Sequence, residues 1–294
     1  MTHTFTGAVL ADAGLRRATP LATAGLMVAA NIPDVDILTF VGGEYRTLAL
    51  RRGWTHGLPA VAVWPFVVTL LLLAWDRAVR RRRKPELPPL RVLPMLGITF
   101  LGVLTHPALD WLNTYGMRWL MPLSGTWTYG DVLFIVDPWL WLVLGGALLI
   151  RHSRGRSALA AWVGFFALAS LLVLGVDAVP AGSKLAWGVG LVVLAALRLG
   201  RWGAAGTRAA RNAVTLALAY VGFMMAADLR SAAAVVDAAR ERGLEVRDVM
   251  VAPRPADPLS GRFVIRTPDA FVEGVVRRPW APEVVFAPGR QPVR

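Results

Sequence analysis

Apolar residues in this chain run in long blocks instead of alternating with polar ones, and a helix that crosses a bilayer needs about 20 of them. Six blocks reach or approach that length, at roughly 58–76, 92–109, 133–150, 157–177, 185–198 and 213–229, the fifth being the shortest. Two shorter stretches, roughly 4–15 and 19–33, precede them and are joined by Arg16-Arg17. At about 1.5 Å rise per residue neither spans comfortably, so they predict a short helical hairpin packed against protein. After residue 230 the pattern changes. SAAAVVDAARERG, closed by Gly243, predicts an amphipathic helix, and VRDVMVA, RFVIR and AFVEGVV predict short strands separated by PRPADPLSG and TPD turns. The pattern thus predicts an all-α polytopic membrane helix bundle over 1–229 and a small α+β domain over 230–294, marginal alone and docked on the bundle.

Composition supports this. The 294 residues are 55% hydrophobic and 17% charged, with a mean hydropathy of +0.51; soluble domains carry about 25% charged residues. These figures count against an ordinary soluble enzyme and exclude a disordered chain. With no cysteine, disulfides, thiolate metal sites and cysteine nucleophiles are excluded too. The Met-Thr-His-Thr start has no basic region before an apolar core, so a cleaved signal peptide is not expected.

The net charge of +13 could suggest nucleic acid, but its distribution predicts topology instead. Seven basic residues from Arg77 to Arg91 follow the first long block, Arg151, Arg154 and Arg156 the third, and Arg198, Arg201, Arg208 and Arg211 the fifth. With Arg16 and Arg17 these sixteen fall on one face if the spans alternate; the opposite loops hold Arg46, Arg51, Arg52, Arg118 and Lys184. The positive-inside rule makes the sixteen-residue face cytoplasmic and the tail external. No nucleic-acid partner is expected; the partner is the lipid bilayer. Trp111, Trp119, Trp127, Trp139 and Trp141 cluster near the external boundary, as an interfacial aromatic belt would.

The same alternation brings a scattered set of the chain's ionisable residues to one face. His3, Asp34 and Asp36 (NIPDVD), His56 (RRGWTH), His106 and Asp110 (THPALDWLNTYG), and Asp131 and Asp137 (GDVLFIVDPW) all map to external helix ends. Ionisable groups at membrane depth cost at least ~2.5–3.5 kcal/mol at a helix centre, so such a collection points to a site. His106 and Asp110, four apart, share a helix face. Imidazoles with carboxylates suit Zn²⁺, with Mn²⁺ or Fe as alternatives, and a bound metal acidifies water for hydrolysis. Each residue also has a plainer explanation. Asp131 could N-cap the third span, Asp137 before Pro138 could mark a kink, Asp34 and Asp36 could be turn residues, and His3 a terminal one. His152, Asp12 and Asp76 fall at the opposite face and are not expected to be ligands.

MTHTFTGAVLADAGL, IPDVD, RRGWTHGL, THPALDWLNTYGMRWLMPLSGTWTYGD and FIVDPWLW occur in that order. Together they resemble the membrane-bound metal-dependent hydrolase family (YdjM-like), densely over residues 1–145. The resemblance implies a multi-pass protein of the bacterial inner membrane with a divalent-metal hydrolase site, distantly similar to zinc-dependent phospholipase C and fungal single-strand nucleases. Carried over to this chain it implies metal ligation by His3, Asp34, Asp36, His56, His106 and Asp110, with Asp131 and Asp137 behind them. Where the family commonly reads His-Arg-Gly this chain reads Arg51-Arg52-Gly53, which puts a multinuclear site in doubt. Arg52 matches the family's arginine, and a guanidinium there favours a phosphate or carboxylate substrate.

These readings predict a hydrolase of an amphiphilic phosphoester, a phospholipid or lipid-linked phosphate, at the external membrane face. The alternative is a non-enzymatic membrane protein with a structural metal and a partner-binding tail. A transporter fits less well, because inverted repeats are not evident and the carboxylates lie at one face.

Overall fold

In a computed structural model, residues 1–200, 206–277, 281–289 and 291–292 are described; Arg201, one of the sixteen basic residues, lies outside them. The chain opens with the hairpin, α1 (Thr2–Asp12) and α2 (Ala22–Ala29). These two backbones touch. A Cβ on Gly7 would stand 2.8 Å from the Leu26 carbonyl oxygen and 3.1 Å from Met27 Cα. The short helix α2 does not stop at residue 30. A tight 3₁₀ segment, Ile32–Gly42, extends it, so that Ala22–Gly42 is long and apolar enough to cross a membrane. That corrects the expectation of a stretch too short to span.

A further short helix, α3 (Glu44–Leu50), leads to α4 (Leu58–Trp75), which runs on through a π turn to Arg83. The next helix is α5 (Val92–Trp111). It packs on α2, where a Cβ on Gly102 would meet that of Ala29 at 2.8 Å.

The apolar block expected at 133–150 is helical only from Pro138. Residues 138–152 form α6, in which Pro138–Leu140, a π turn at Trp141–Gly145 and Gly146–His152 are continuous. The preceding residues are drawn elsewhere: the amides of Val132 and Leu133 both donate to the Leu112 carbonyl at 2.8 Å, while Asp137 caps α6 by accepting from the amides of Trp139 and Leu140. At 1.5 Å per residue α6 is about 22 Å long, shorter than the ~30 Å hydrocarbon core.

Next come α7 (Arg156–Leu174), α8 (Ala181–Leu199) and α9 (Gly206–Glu241). The shortest expected span gains a turn at its start, where Lys184 Nζ donates to the Leu174 carbonyl that ends α7. At 36 residues α9 fuses the last expected span with the expected amphipathic helix, and residue 230 lies inside it.

Among the described residues, six helices are long and apolar enough to cross a membrane: Ala22–Gly42, Leu58–Arg83, Val92–Trp111, Arg156–Leu174, Ala181–Leu199 and Gly206–Glu241.

The tail is an antiparallel sheet in the order β1 (Asp248–Arg254), β2 (Asp257–Arg266), β3 (Ala270–Arg277), β4 (Glu283–Phe286), with β5 (Gln291–Pro292) pairing the start of β3. Alternate residues Val251, Phe263, Ile265, Val272 and Val276 face Val235 and Ala239 of α9, giving the sheet a core of its own. PRPADPLSG, expected as a turn, lies mostly within β1 and β2, with only Pro255-Ala256 between the strands. Trp139 Nε1 donates to the Ala256 carbonyl at 3.2 Å and Arg254 to that of Ala178, so the tail is docked on the bundle.

Polar contacts gather the helix ends into two layers. At one end Asp12 meets Arg151 at 2.8 Å and His152 at 2.6 Å, Arg198 donates to Ser153, and Arg211 to the Ala13 carbonyl. The other end holds the candidate site.

Candidate metal centre

Three elements converge there. The 3₁₀ segment brings Asp34 and Asp36, the turn before α4 brings His56, and the last turns of α5 bring His106 and Asp110 one above the other. One donor atom from each of Asp34, His56, His106 and Asp110 lies within 4.8 Å of every other. The two Nε2 atoms are 3.2 Å apart. His106 Nε2 is 3.5 Å from Asp34 Oδ1 and 3.6 Å from Asp110 Oδ2; His56 Nε2 is 3.9 Å and 3.4 Å from the same two oxygens. Donors held about 2.0–2.2 Å from a tetrahedral cation stand about 3.3–3.6 Å apart, so the spacing fits one ion.

The hydrogen bonds point the same way. The Nδ1–H of His106 donates to the Ala30 carbonyl at 2.7 Å, which fixes the ring with its Nε2 turned inward. His56 Nδ1 lies 2.8 Å from Thr55 Oγ1 and 3.4 Å from Asp36 Oδ2, so its Nε2 also faces the centre. Asp110 Oδ2 is buried without a hydrogen-bond donor. Two inward-facing ring nitrogens and a carboxylate oxygen converge on one point, the donor set that a single cation would join. His56, His106 and Asp110 are buried, whereas the Asp34 side chain is 56% exposed at the mouth of a cavity of about 290 Å³.

The other expected site residues stand around this group. Asp36 is on the far side of His56, where it also accepts from the Arg52 amide at 2.9 Å. His3 stacks on His106 with ring centroids 3.8 Å apart and reaches Asp110 Oδ1 at 3.3 Å. The Arg52 guanidinium lies 3.5 Å from the same Oδ1 and donates to Asn113 Oδ1 at 3.1 Å. Asp137 lines the cavity, but its carboxylate is engaged by the two amides of α6 and by the Tyr220 hydroxyl at 2.8 Å. Asp131 is not among the residues lining the cavity; burial raises its carboxyl to about 6, and its Oδ1 has no hydrogen-bond partner among the described residues.

Sequence reading missed Asn113 and Tyr115. Asn113 Oδ1 accepts from both Arg52 and the Tyr115 amide, and the Tyr115 ring lies 4.4 Å below the Arg52 guanidinium carbon. The only signal was their place in NTYG, three and five residues after Asp110.

Residues 1–181, which carry all of these side chains except Tyr220, match the family described as YdjM inner membrane protein. The chain belongs to that family. It is therefore a membrane protein, with an Asp/His group able to hold a metal ion inside the region that the family shares. A 144-residue segment is 24% identical to the protein named "Uncharacterized protein YfhP" of Bacillus subtilis (strain 168), covering 49% of this chain and 40% of that one. The aligned part thus spans about two fifths of the relative's length. No solved structure matches the chain.

Proposed function

We propose that this YdjM-family protein is a metal-dependent hydrolase of amphiphilic phosphoesters, with its site at the external face of the inner membrane. The observation that carries the reading is the division of the donor set. Three buried ligands (His56, His106 and Asp110) face a fourth donor, the Asp34 carboxylate, that borders an open cavity. Catalytic zinc sites keep three protein ligands and an accessible fourth position, whereas structural sites are closed. A divalent cation, zinc with manganese or iron as alternatives, would supply Lewis acidity and lower the pKa of water to about 7. Asp34 is placed to accept the proton of the attacking water as the phosphorus–oxygen ester bond breaks. Arg52, oriented by Asn113 and Asp110, offers guanidinium donors to the phosphate oxygens. His3 and Asp36 hold the ligands in place, His3 against His106 and Asp110, and Asp36 behind His56. The external assignment rests on the positive-inside rule applied to the sixteen basic residues that the sequence pattern assigns to the opposite loops.

The test is metal content together with turnover of bis(p-nitrophenyl) phosphate by the purified full chain. About one transition-metal ion per chain and metal-restored hydrolysis are expected, with both lost in His106→Ala. A second reading, a structural metal, is favoured by the fourth protein donor. Full metal loading, no turnover of any phosphoester and unfolding on chelation would establish it in place of the first.

A further inference from the structure

The cavity wall carries two features that the donor cluster does not use. The first is Arg51. Its neighbour Arg52 has φ +52°, a left-handed conformation uncommon outside glycine. That turn is held by the Asp36 carboxylate on the Arg52 amide and by the Arg118 amide, which donates to the Arg52 carbonyl at 3.0 Å. The reversal sets both guanidinium groups against one ring, with their central carbons 5.3 Å (Arg51) and 4.4 Å (Arg52) from the Tyr115 centroid. Two cations on one tyrosine repel each other. Arg52 is balanced by Asp110, whereas Arg51, among the described residues, forms no ion pair and donates only to the Tyr115 hydroxyl, at 3.3 Å. Arg51 thus lines the cavity with a charge that has no counter-ion among the described residues.

The second feature is an apolar edge continuous with that cavity. Ile135 and Val136 line it and are 47% and 41% exposed. Phe40, also exposed, lies 5.2 Å from the Arg51 guanidinium carbon. Apolar surface of this kind is unfavourable in water, at about 25 cal/mol per Å², and carries no such penalty against lipid chains.

We propose that the cavity opens sideways to the bilayer and takes the phosphate of a membrane phospholipid, with Arg51 gripping the phosphate and Ile135, Val136 and Phe40 seating the adjoining acyl chain. A guanidinium offers paired donors that match two phosphate oxygens, and the apolar edge would be idle with a water-soluble substrate. The inference rests on the phosphoester reading above and names its substrate class, but its test does not depend on turnover.

Native mass spectrometry of the full chain in neutral detergent would compare phosphatidylglycerol, diacylglycerol, which lacks the phosphate, and glycerophosphoglycerol, which lacks the chains. Phosphatidylglycerol is expected to be retained at least ten-fold more tightly than either. Arg51→Gln should remove most of that preference and Arg51→Lys only part of it, at unchanged Tm. Ile135→Ser with Val136→Ser should weaken phosphatidylglycerol more than glycerophosphoglycerol. Equal retention of phosphatidylglycerol and diacylglycerol, equal retention of the bare headgroup, or an Arg51→Gln protein indistinguishable from wild type would each overturn the proposal. Lipid retained through Arg51 but never hydrolysed, in metal-loaded protein, would uphold the lipid site and defeat the hydrolase reading. Metal-dependent hydrolysis of bis(p-nitrophenyl) phosphate without lipid discrimination would do the reverse.

Discussion

His56 and His106 place two ring nitrogens 3.2 Å apart in a buried site, with the other ring nitrogen of each already occupied. A cation joining the two inward nitrogens meets rings already oriented for it, so the cost of losing that orientation should be visible in single substitutions. Asp36 gives the sharpest case, because it stands behind His56 while also holding the Arg52 turn, and among the described residues it pairs with no other donor of the cluster. Asp36→Asn is expected to weaken metal affinity by about 10–100-fold while leaving the stoichiometry at high metal unchanged. Competition with a chromophoric chelator measures this, and an affinity equal to wild type would show that Asp36 serves only the Arg52 turn. The sequence could not separate these roles. Asp34 and Asp36 flank one residue, and only the 3₁₀ geometry turns one to the cavity and the other behind the histidine.

Asp131 is a different kind of residue, an acid whose carboxyl is raised to about 6 by burial, in a left-handed conformation with φ +53°. Unfolded, it would titrate near 3.9. The folded state therefore binds the proton more tightly, and this residue's contribution to stability is greatest below about pH 4 and is lost as pH rises through about 6. Asn cannot ionise and tolerates the left-handed conformation. Asp131→Asn should raise Tm at pH 7 and flatten its fall between pH 4 and 7. A variant whose Tm falls as steeply as wild type over that range would refute the assignment.

At the scale of elements, the site depends on how closely short helices approach. α1 carries His3, and α2 leads into the segment bearing Asp34 and Asp36; both are placed by backbone contact at Gly7 and by the seat of Ala29 on Gly102. At Gly7 the obstructing atoms are backbone, which cannot rotate away. Gly7→Ala should therefore destabilise the protein by about 1–3 kcal/mol and weaken metal binding, although residue 7 touches no ligand. Unchanged Tm and metal affinity would mean that the hairpin can slide without disturbing the cluster.

This is also where sequence reading stopped short. Long apolar runs were legible as helices because lipid requires it, and six of the site residues were legible as costly groups at helix ends. Glycine contacts between elements left no pattern to read. Nor was the start of α6 legible, because Val132 and Leu133 look like the beginning of a span until the Leu112 carbonyl is seen to take their amides. The strands were found from alternation, but β4 and β5 are four and two residues long, too short to show one.

For the whole molecule the open quantity is the side on which each layer lies, and α6 decides the parity. It is only about 22 Å long, yet its Asp137 end borders the site and its His152 end meets Asp12 in the opposite layer. On that geometry five helices, α5 to α9, separate the 77–91 loop from the tail, so the two lie on opposite sides of the membrane. If α6 did not cross, only four would, and both would lie on the same side. The chain has no cysteine, so single substitutions report cleanly. With a membrane-impermeant maleimide on intact inner membranes, Ser124→Cys in the loop after α5 and Glu245→Cys in the tail should label together from the external side. Arg82→Cys should react only after solubilisation, as the basic loop's cytoplasmic placement requires. Labelling of Arg82→Cys alone would invert the protein and put the metal cluster on the cytoplasmic face. Labelling of Arg82→Cys together with Glu245→Cys would show that α6 is re-entrant. A re-entrant α6 could not join the two polar layers, so that outcome would remove the framework on which the cavity, its lipid-facing edge and the Asp137 cap all depend.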